Sequence, residues 1–347
     1  MERSLDKQIY SGPFKVENWN GTSGSFKLVK NDNYWDAKHV KTKTINIQTV
    51  KKPDTAVQMY KQGQLDFASI SSTSAIFNSN KKNKDVVTVP EATTSYMTYN
   101  ETGKVKGLDN LKIRQALNLL LIVKVLSKLR LIQVQFQQLV LYLLDWKKLP
   151  DGTDLSKYVA PGYSYNKEEA AKLFKEGLAE AGLSDLKLTI TADSDSPVSK
   201  AAVDYIKETW EKALPGLTVE EKFVTFKQRL EDTKNQNFDV ALVLWGGDYP
   251  EGSTFYGLFT SNSAYNYGKA NSSTYDAAYE KALSTDALDP TAAANDYKTA
   301  EKALYDEAMY NPIYFRFTKG LQNPSIKGLV RNSTGLDVDF TYAYKDK

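Results

Sequence analysis

Residues 187–250 read KLTITADSDSPVSKAAVDYIKETWEKALPGLTVEEKFVTFKQRLEDTKNQNFDVALVLWGGDYP, and their rhythm decides the fold. Alternating apolar and polar residues make 187–192 a strand, and apolar positions at helical spacing make 199–214 an amphipathic helix. Strand character returns over 218–224, and 226–235 is again helical. The run 238–244 is almost continuously apolar, the pattern of a strand buried on both faces. Strands alternating with helices predict an α/β lobe. On the N-terminal side, 166–183 carries Ala170, Leu173, Phe174, Gly177 and Ala181 at helical spacing. Asn166 with Glu169 makes a capping-box-like start, and Gly182 a stop. On the C-terminal side, helices are expected over 273–284 and 291–309, the latter with Tyr297, Ala300, Leu304 and Ala308 on one face. These faces are read as core packing. Further upstream, 11–50 is β-rich, with strands over 26–30 and 44–50. A helix over 53–62 and a strand over 64–70 add a βαβ-like rhythm.

A chain of 347 residues exceeds what one core usually organises, which favours two lobes. Its composition, 41% hydrophobic and 25% charged, is that of a globular protein. Lys and Arg total 45 against 42 Asp and Glu and are scattered, so nothing argues electrostatically for nucleic acid. Cysteine is absent, which removes disulfides, thiolate nucleophiles and Cys-ligated metals. The single histidine, His39, lies among Lys38, Lys41 and Lys43 and reads as a solvated loop residue. No Ser-His-Asp set forms without it, and neither G-x-S-x-G nor G-x-x-x-x-G-K occurs. The expectation is no catalytic residues, no metal and no cofactor. The first ten residues are charged and polar, with no apolar signal core.

Five separated motifs give the chain a family resemblance. Ser11-Gly12-Pro13-Phe14 with Trp19 is similar to a "GTGPY...W" strand, and Lys30-Asn31-Asp32-Asn33-Tyr34-Trp35 to "RNPNYW". Gly63-Gln64-Leu65-Asp66 resembles "SGEVD", Ile113-Arg114-Gln115-Ala116-Leu117-Asn118 "VRQALN", and Trp245-Gly246-Gly247-Asp248-Tyr249-Pro250 "W-x-x-DYP". In this order they resemble the large oligopeptide-binding proteins of ABC importers, solute-binding protein family 5, lipoproteins of Gram-positive bacteria among them. The resemblance implies a type II periplasmic-binding-protein-like α/β fold of two lobes, the first incomplete and the second nearly complete. Residues 1–100 are expected to be the remainder of lobe one, 101–315 the second lobe, and 316–347 a return to lobe one. It also implies a monomer on the extracellular face of the membrane, lipid-anchored, that captures oligopeptides and delivers them to permease and ATPase subunits. As written, the chain shows neither signal peptide nor lipid-anchor cysteine, so expressed alone it is expected in the cytoplasm.

Between Leu119 and Lys147 the character changes to a Leu, Val and Gln run without Gly or Pro. Its longest uncharged piece, 131–144, is shorter than the roughly 20 residues of a spanning helix. Back-translated from Leu120 and shifted to the neighbouring frame, it yields AIDRKGVIK and onward a Gly/Pro-containing string of the kind the family has after "VRQALNL". We read 119–147 as out of frame, the alternative being a true amphipathic helix, and place no site there.

Extended peptides are held sequence-independently when they add a strand to exposed backbone. The strand ending in Val243, Leu244, Trp245 and Gly246 suits this, since Gly246 and Gly247 permit close backbone approach and Trp245 offers a flat wall. The resemblance carries Asp248 onto the carboxylate that holds the peptide α-ammonium, and Lys234 onto a basic residue facing the peptide's C-terminal end. Tyr249, Tyr265 and Tyr267 are adaptable aromatics nearby. Core or turn roles for Trp245 and Asp248, and an ordinary surface role for Lys234, stay open. The rival readings are a peptide-pheromone receptor or surface adhesin on the same fold, a carboxylate-based hydrolase, and a non-functional remnant.

Overall fold

The structure is a computed structural model and describes residues 8–20, 24–71, 74–120, 134–135, 148–160, 164–335 and 337–346. The 119–147 reading and the amino-terminal decapeptide fall largely outside the described residues. The chain divides into two compact units, one of residues 1–91 with 318–347, the other of 92–317. These divisions differ from the expected 100/101 and 315/316 boundaries. Two long strands run through both divisions, so the change of unit falls inside regular structure and leaves no linker signal.

The first unit opens with β1 (Phe14–Glu17), β2 (Ser25–Lys30) and β3 (Thr44–Gln48), an antiparallel sheet in that order. α1 (Pro53–Lys61) starts at a proline, whose missing N–H costs nothing in a first turn. β4 (Phe67–Ser69) and α2 (Ser74–Asn80) follow. A small core of Val57, Ile70, Ile76 and Leu321 holds these elements together. β5 (Val86–Tyr99) then continues from the first unit into the second.

The second unit contains α3 (Leu111–Asn118), a short β6 (Val134–Gln135), α4 (Leu155–Val159) and α5 (Lys167–Glu180). α5 starts as expected, the Asn166 side chain accepting the Glu169 N–H at 3.0 Å. β7 (Leu186–Asp193), α6 (Pro197–Ala213), β8 (Leu217–Val224), α7 (Phe226–Lys234) and β9 (Val240–Gly246) reproduce the strand and helix order read from 187–250. α6 begins two residues earlier than expected, because Pro197 fills its first turn and the Ser196 hydroxyl caps the Ser199 N–H. β9 is shifted toward its C-terminus and takes in Trp245 and Gly246. α8 (Ser253–Tyr256), α9 (Ser273–Leu283) and α10 (Pro290–Asp306) complete the helices. α10 stops short of the expected 309 where Ala308 takes φ 47° and Met309 N–H returns to Leu304 O. β10 (Tyr310–Gln322) leads back to the first unit.

Within the second unit the strands lie in the order β10-β5-β9-β7-β8, with β6 beside β10. β7 is parallel to both β8 and β9, and β5 is antiparallel to β9. β9 is buried on both faces: Val240 and Leu242 enter one core cluster, with Trp210, Phe174 and Leu188, while Ala241 and Val243 enter the other, with Tyr96, Phe255 and Tyr310. In the first unit, β4 pairs antiparallel with the end of β10. Two short pairs, β11 (Ile326–Lys327) with β14 (Tyr344–Lys345) and β12 (Val330–Arg331) with β13 (Val338–Asp339), finish it.

Candidate functional site

The site is built on the end of β9. Asn100 N–H donates to Asp239 O, and Gly247 N–H to Ala92 O at 2.7 Å. In an antiparallel ladder this phase turns the main-chain groups of odd-numbered β9 residues toward β5 and those of Leu244 and Gly246 away from it. On that other side stands β7, but its register with β9 covers only Ile190↔Val240 and Thr191↔Ala241. β7 stays with β8 as far as Asp193↔Val224. Past Ala241, therefore, β9 has no strand partner on its β7 side among the described residues. The main-chain groups of Leu244 and Gly246 on that side therefore have no ladder partner among the described residues.

A Cβ added at Gly246 would meet only the Thr93 hydroxyl, at an ordinary 3.4 Å. Packing inside the unit thus places no demand for glycine at this position. Trp245 is half-buried and meets the exposed Tyr265 edge to face, with ring centroids 4.7 Å apart. Its Nε1 is buried and has no hydrogen-bond partner among the described residues. Tyr267 lies behind Tyr265 at 6.5 Å, and burial raises its phenol pKa against the opposing charge of Arg229.

The chain after β9 is held by its backbone and leaves its side chains outward. Asp248 N–H donates to the Thr254 hydroxyl at 3.0 Å, while the Asp248 carboxylate is exposed and has no partner among the described residues. The Tyr249 hydroxyl shares a hydrogen bond with Ser253 at 3.1 Å. Trp245, Gly246, Asp248 and Tyr249 thus share one surface, whereas Gly247 is buried between Gly246 and Asp248 with its N–H taken by Ala92 O. Lys234 is not brought to it. It is the exposed last residue of α7 and precedes the start of β9, whose length of about 20 Å at ~3.3 Å per residue separates it from Asp248.

Sequence reasoning missed the buried pair beneath this surface. Arg229 on α7 donates from Nε to Asp193 Oδ1 at 2.7 Å at the end of β7, both side chains being buried. Arg229 Nη1 is left without a partner among the described residues. Within FKQRLEDTK nothing in the sequence distinguishes Arg229 from the exposed Lys227, Glu231 and Lys234, because only the β7 crossing selects it.

The family model for bacterial extracellular solute-binding proteins, family 5, matches residues 2–267. The chain belongs to this family. It is 41% identical over 356 residues to a dipeptide-binding protein of Lactococcus lactis subsp. cremoris, covering 98% of this chain and 64% of that protein. The oligopeptide-binding protein OppA of Bacillus subtilis is 28% identical, with 98% and 61% covered. Among solved structures, Listeria monocytogenes OppA bound to peptide superposes with TM-score 0.82 at 31% identity, covering 99% of this chain and 66% of that one. The pheromone receptor PrgZ gives TM-score 0.82 at 25% identity with the same coverage. The fold is thus the mixed α/β, type II periplasmic-binding-like fold. The chain spans just under two thirds of the length of these relatives.

Proposed function

We propose that this chain is the greater part of the substrate-binding component of a peptide ABC transporter, a receptor with no catalytic role. It takes an extended oligopeptide along the open side of β9. The observation that carries this reading is the parting of β7 from β9. It leaves Leu244 and Gly246 free to form a short main-chain ladder with any peptide, so side chains need only be accommodated. Trp245 and Tyr265 supply an aromatic wall for one peptide side chain. Asp248 holds the α-ammonium just beyond the strand end. Lys234, at the opposite end of β9, acts on the peptide only if the C-terminal part extends that far.

Binding by such receptors draws on surfaces from the whole protein. The receptor acts as a monomer at the outer face of the membrane and hands peptide to a permease and ATPase. The test is titration of a mixed peptide library into this chain and into the chain joined to the uncovered remainder of the Lactococcus lactis relative. The joined protein is expected to bind at micromolar concentrations or better and to return peptides uncleaved, and this chain alone to bind far more weakly. Absence of binding by the joined protein, or cleavage, refutes the reading. The likeness to PrgZ favours a second reading, pheromone sensing by the same peptide site. Growth on peptides as sole amino-acid source separates uptake from sensing.

A further inference from the structure

Beyond Tyr249 the loop after β9 turns one side chain inward, that of the half-buried Glu251. Its carboxylate is gripped from two sides. From its own turn, Ser253 N–H at the start of α8 donates to Oε2 at 2.7 Å. From α10, the buried Tyr297 hydroxyl donates across both oxygens, at 3.0 Å to Oε1 and 3.2 Å to Oε2. Three further bonds of the loop are local: Asp248 N–H to the Thr254 hydroxyl, Glu251 N–H to Tyr249 O at 2.8 Å, and the Tyr249 hydroxyl with that of Ser253. These shape the turn and join it to α8. Glu251 ties it to α10 as well.

α10 is a firm mount for that tie. Tyr297 and Glu301 lie one helical turn apart on the same face of it. The Tyr297 ring stacks on that of Tyr256 in α8, with centroids 4.7 Å apart and planes at 15°. Glu301, fully buried, accepts the Tyr256 hydroxyl at 2.9 Å and the Tyr310 hydroxyl, from the start of β10, at 2.7 Å. The Tyr275 hydroxyl of α9 donates in turn to Tyr256 O. A buried carboxylate that serves two phenols, with a stacked ring pair beside it, makes a rigid network. The Asp248 carboxylate, by contrast, is exposed and has no partner among the described residues, so its position is set by its backbone. A loop that its ligand must first order gives up part of the binding free energy to that ordering.

We propose that Glu251 is a positioning residue of the peptide site and Tyr297 its anchor: through them α10 fixes the loop from which Asp248 meets the peptide α-ammonium. The inference rests on the reading of Asp248 as the ammonium partner and assigns the residues that hold it in place. Glu251 acts through Asp248, so its effect is confined to ligands with a free amino terminus.

The test is Tyr297→Phe in the joined protein, a change that removes the hydroxyl and keeps the ring for Tyr256. Calorimetry follows one peptide with its amino terminus free and N-acetylated. Expected is a loss of about tenfold in affinity for the free peptide and less than about twofold for the acetylated one. In an Asp248→Ala background the loss for the free peptide should shrink to the same small factor, because no carboxylate is left to position. A merely stabilising role would lower the urea midpoint and weaken both peptides alike, and that result overturns the proposal. So does a loss that persists in full without the Asp248 carboxylate. If acetylation costs the wild type and Asp248→Ala equally, the ammonium reading fails and takes the proposal with it. If Asp248→Ala discriminates between the peptides and Tyr297→Phe does not, the positioning role alone is refuted. Glu251→Ala should match Tyr297→Phe, and Tyr297→Phe decides where circular dichroism shows Glu251→Ala unfolded. In this chain by itself, amide exchange at Ser253 should quicken about tenfold in Tyr297→Phe while Leu188 and Ile190 of β7 stay unchanged. Unchanged exchange at Ser253 also overturns the inference.

Discussion

The decisive perturbation at the peptide site is Asp248→Ala, read against peptides with free and N-acetylated amino termini in the chain joined to its relative's remainder. The backbone at Asp248 is fixed by the Asp248 N–H to Thr254 bond at 3.0 Å and by Gly247 N–H to Ala92 O at 2.7 Å, neither of which uses the carboxylate. Alanine therefore removes the charge and leaves the loop in place. If the carboxylate stays as exposed as it is here, its pairing with an α-ammonium is that of a surface ion pair, about 0.2–1 kcal/mol or up to ~5-fold in Kd. If ligand and protein shield the pair from water, it is a charge-assisted hydrogen bond worth about 1.5–3 kcal/mol, roughly 10 to 150-fold. Asp248→Ala is expected in the larger range, with acetylation costing the wild type a similar factor. The four affinities form a double-mutant cycle measurable by calorimetry. Equal acetylation penalties in both proteins would show that Asp248 is only a turn residue before Pro250, and the assignment would be refuted.

Two further outcomes follow from the buried charges of the second unit. Asp193→Asn and Arg229→Met should each cost about 3–5 kcal/mol in urea denaturation, because each strands its partner's charge, while the pair Asp193→Leu with Arg229→Met should recover much of the loss. Single-variant costs below ~1 kcal/mol would contradict this. Burial pushes the Glu101 carboxyl up to about 8 against the opposing pull of Arg114 at 2.9 Å, its Oε1 having no partner among the described residues. A carboxyl raised in the folded state contributes stability that is present below its ordinary pKa of 4.5 and lost as pH rises through about 8. Glu101→Gln should flatten that decline in pH-dependent denaturation, and an unchanged slope would exclude Glu101 as its source.

The order of strands and helices over 187–250 was legible because apolar periodicity is local: every element of that stretch except α7, whose buried side chains are Arg229, Asp232 and Thr233, buries apolar residues in the cores on the sheet. The Asn166 cap was legible for the same reason, since donor and acceptor lie three residues apart. The segment Trp245 to Tyr249 was legible as a motif and as a strand end. The 14 residues of β5 were not, because Pro90 interrupts a stretch without clean alternation and its ladder with β9 depends on residues far along the chain. Nor did sequence distinguish Arg229 from its charged neighbours, or separate Lys234 from Asp248. The tertiary structure alone decided where β7 leaves β9. Strand pairing is a long-range choice among backbones that are chemically alike, so no side-chain pattern within one strand records which of its two edges is left without a neighbour.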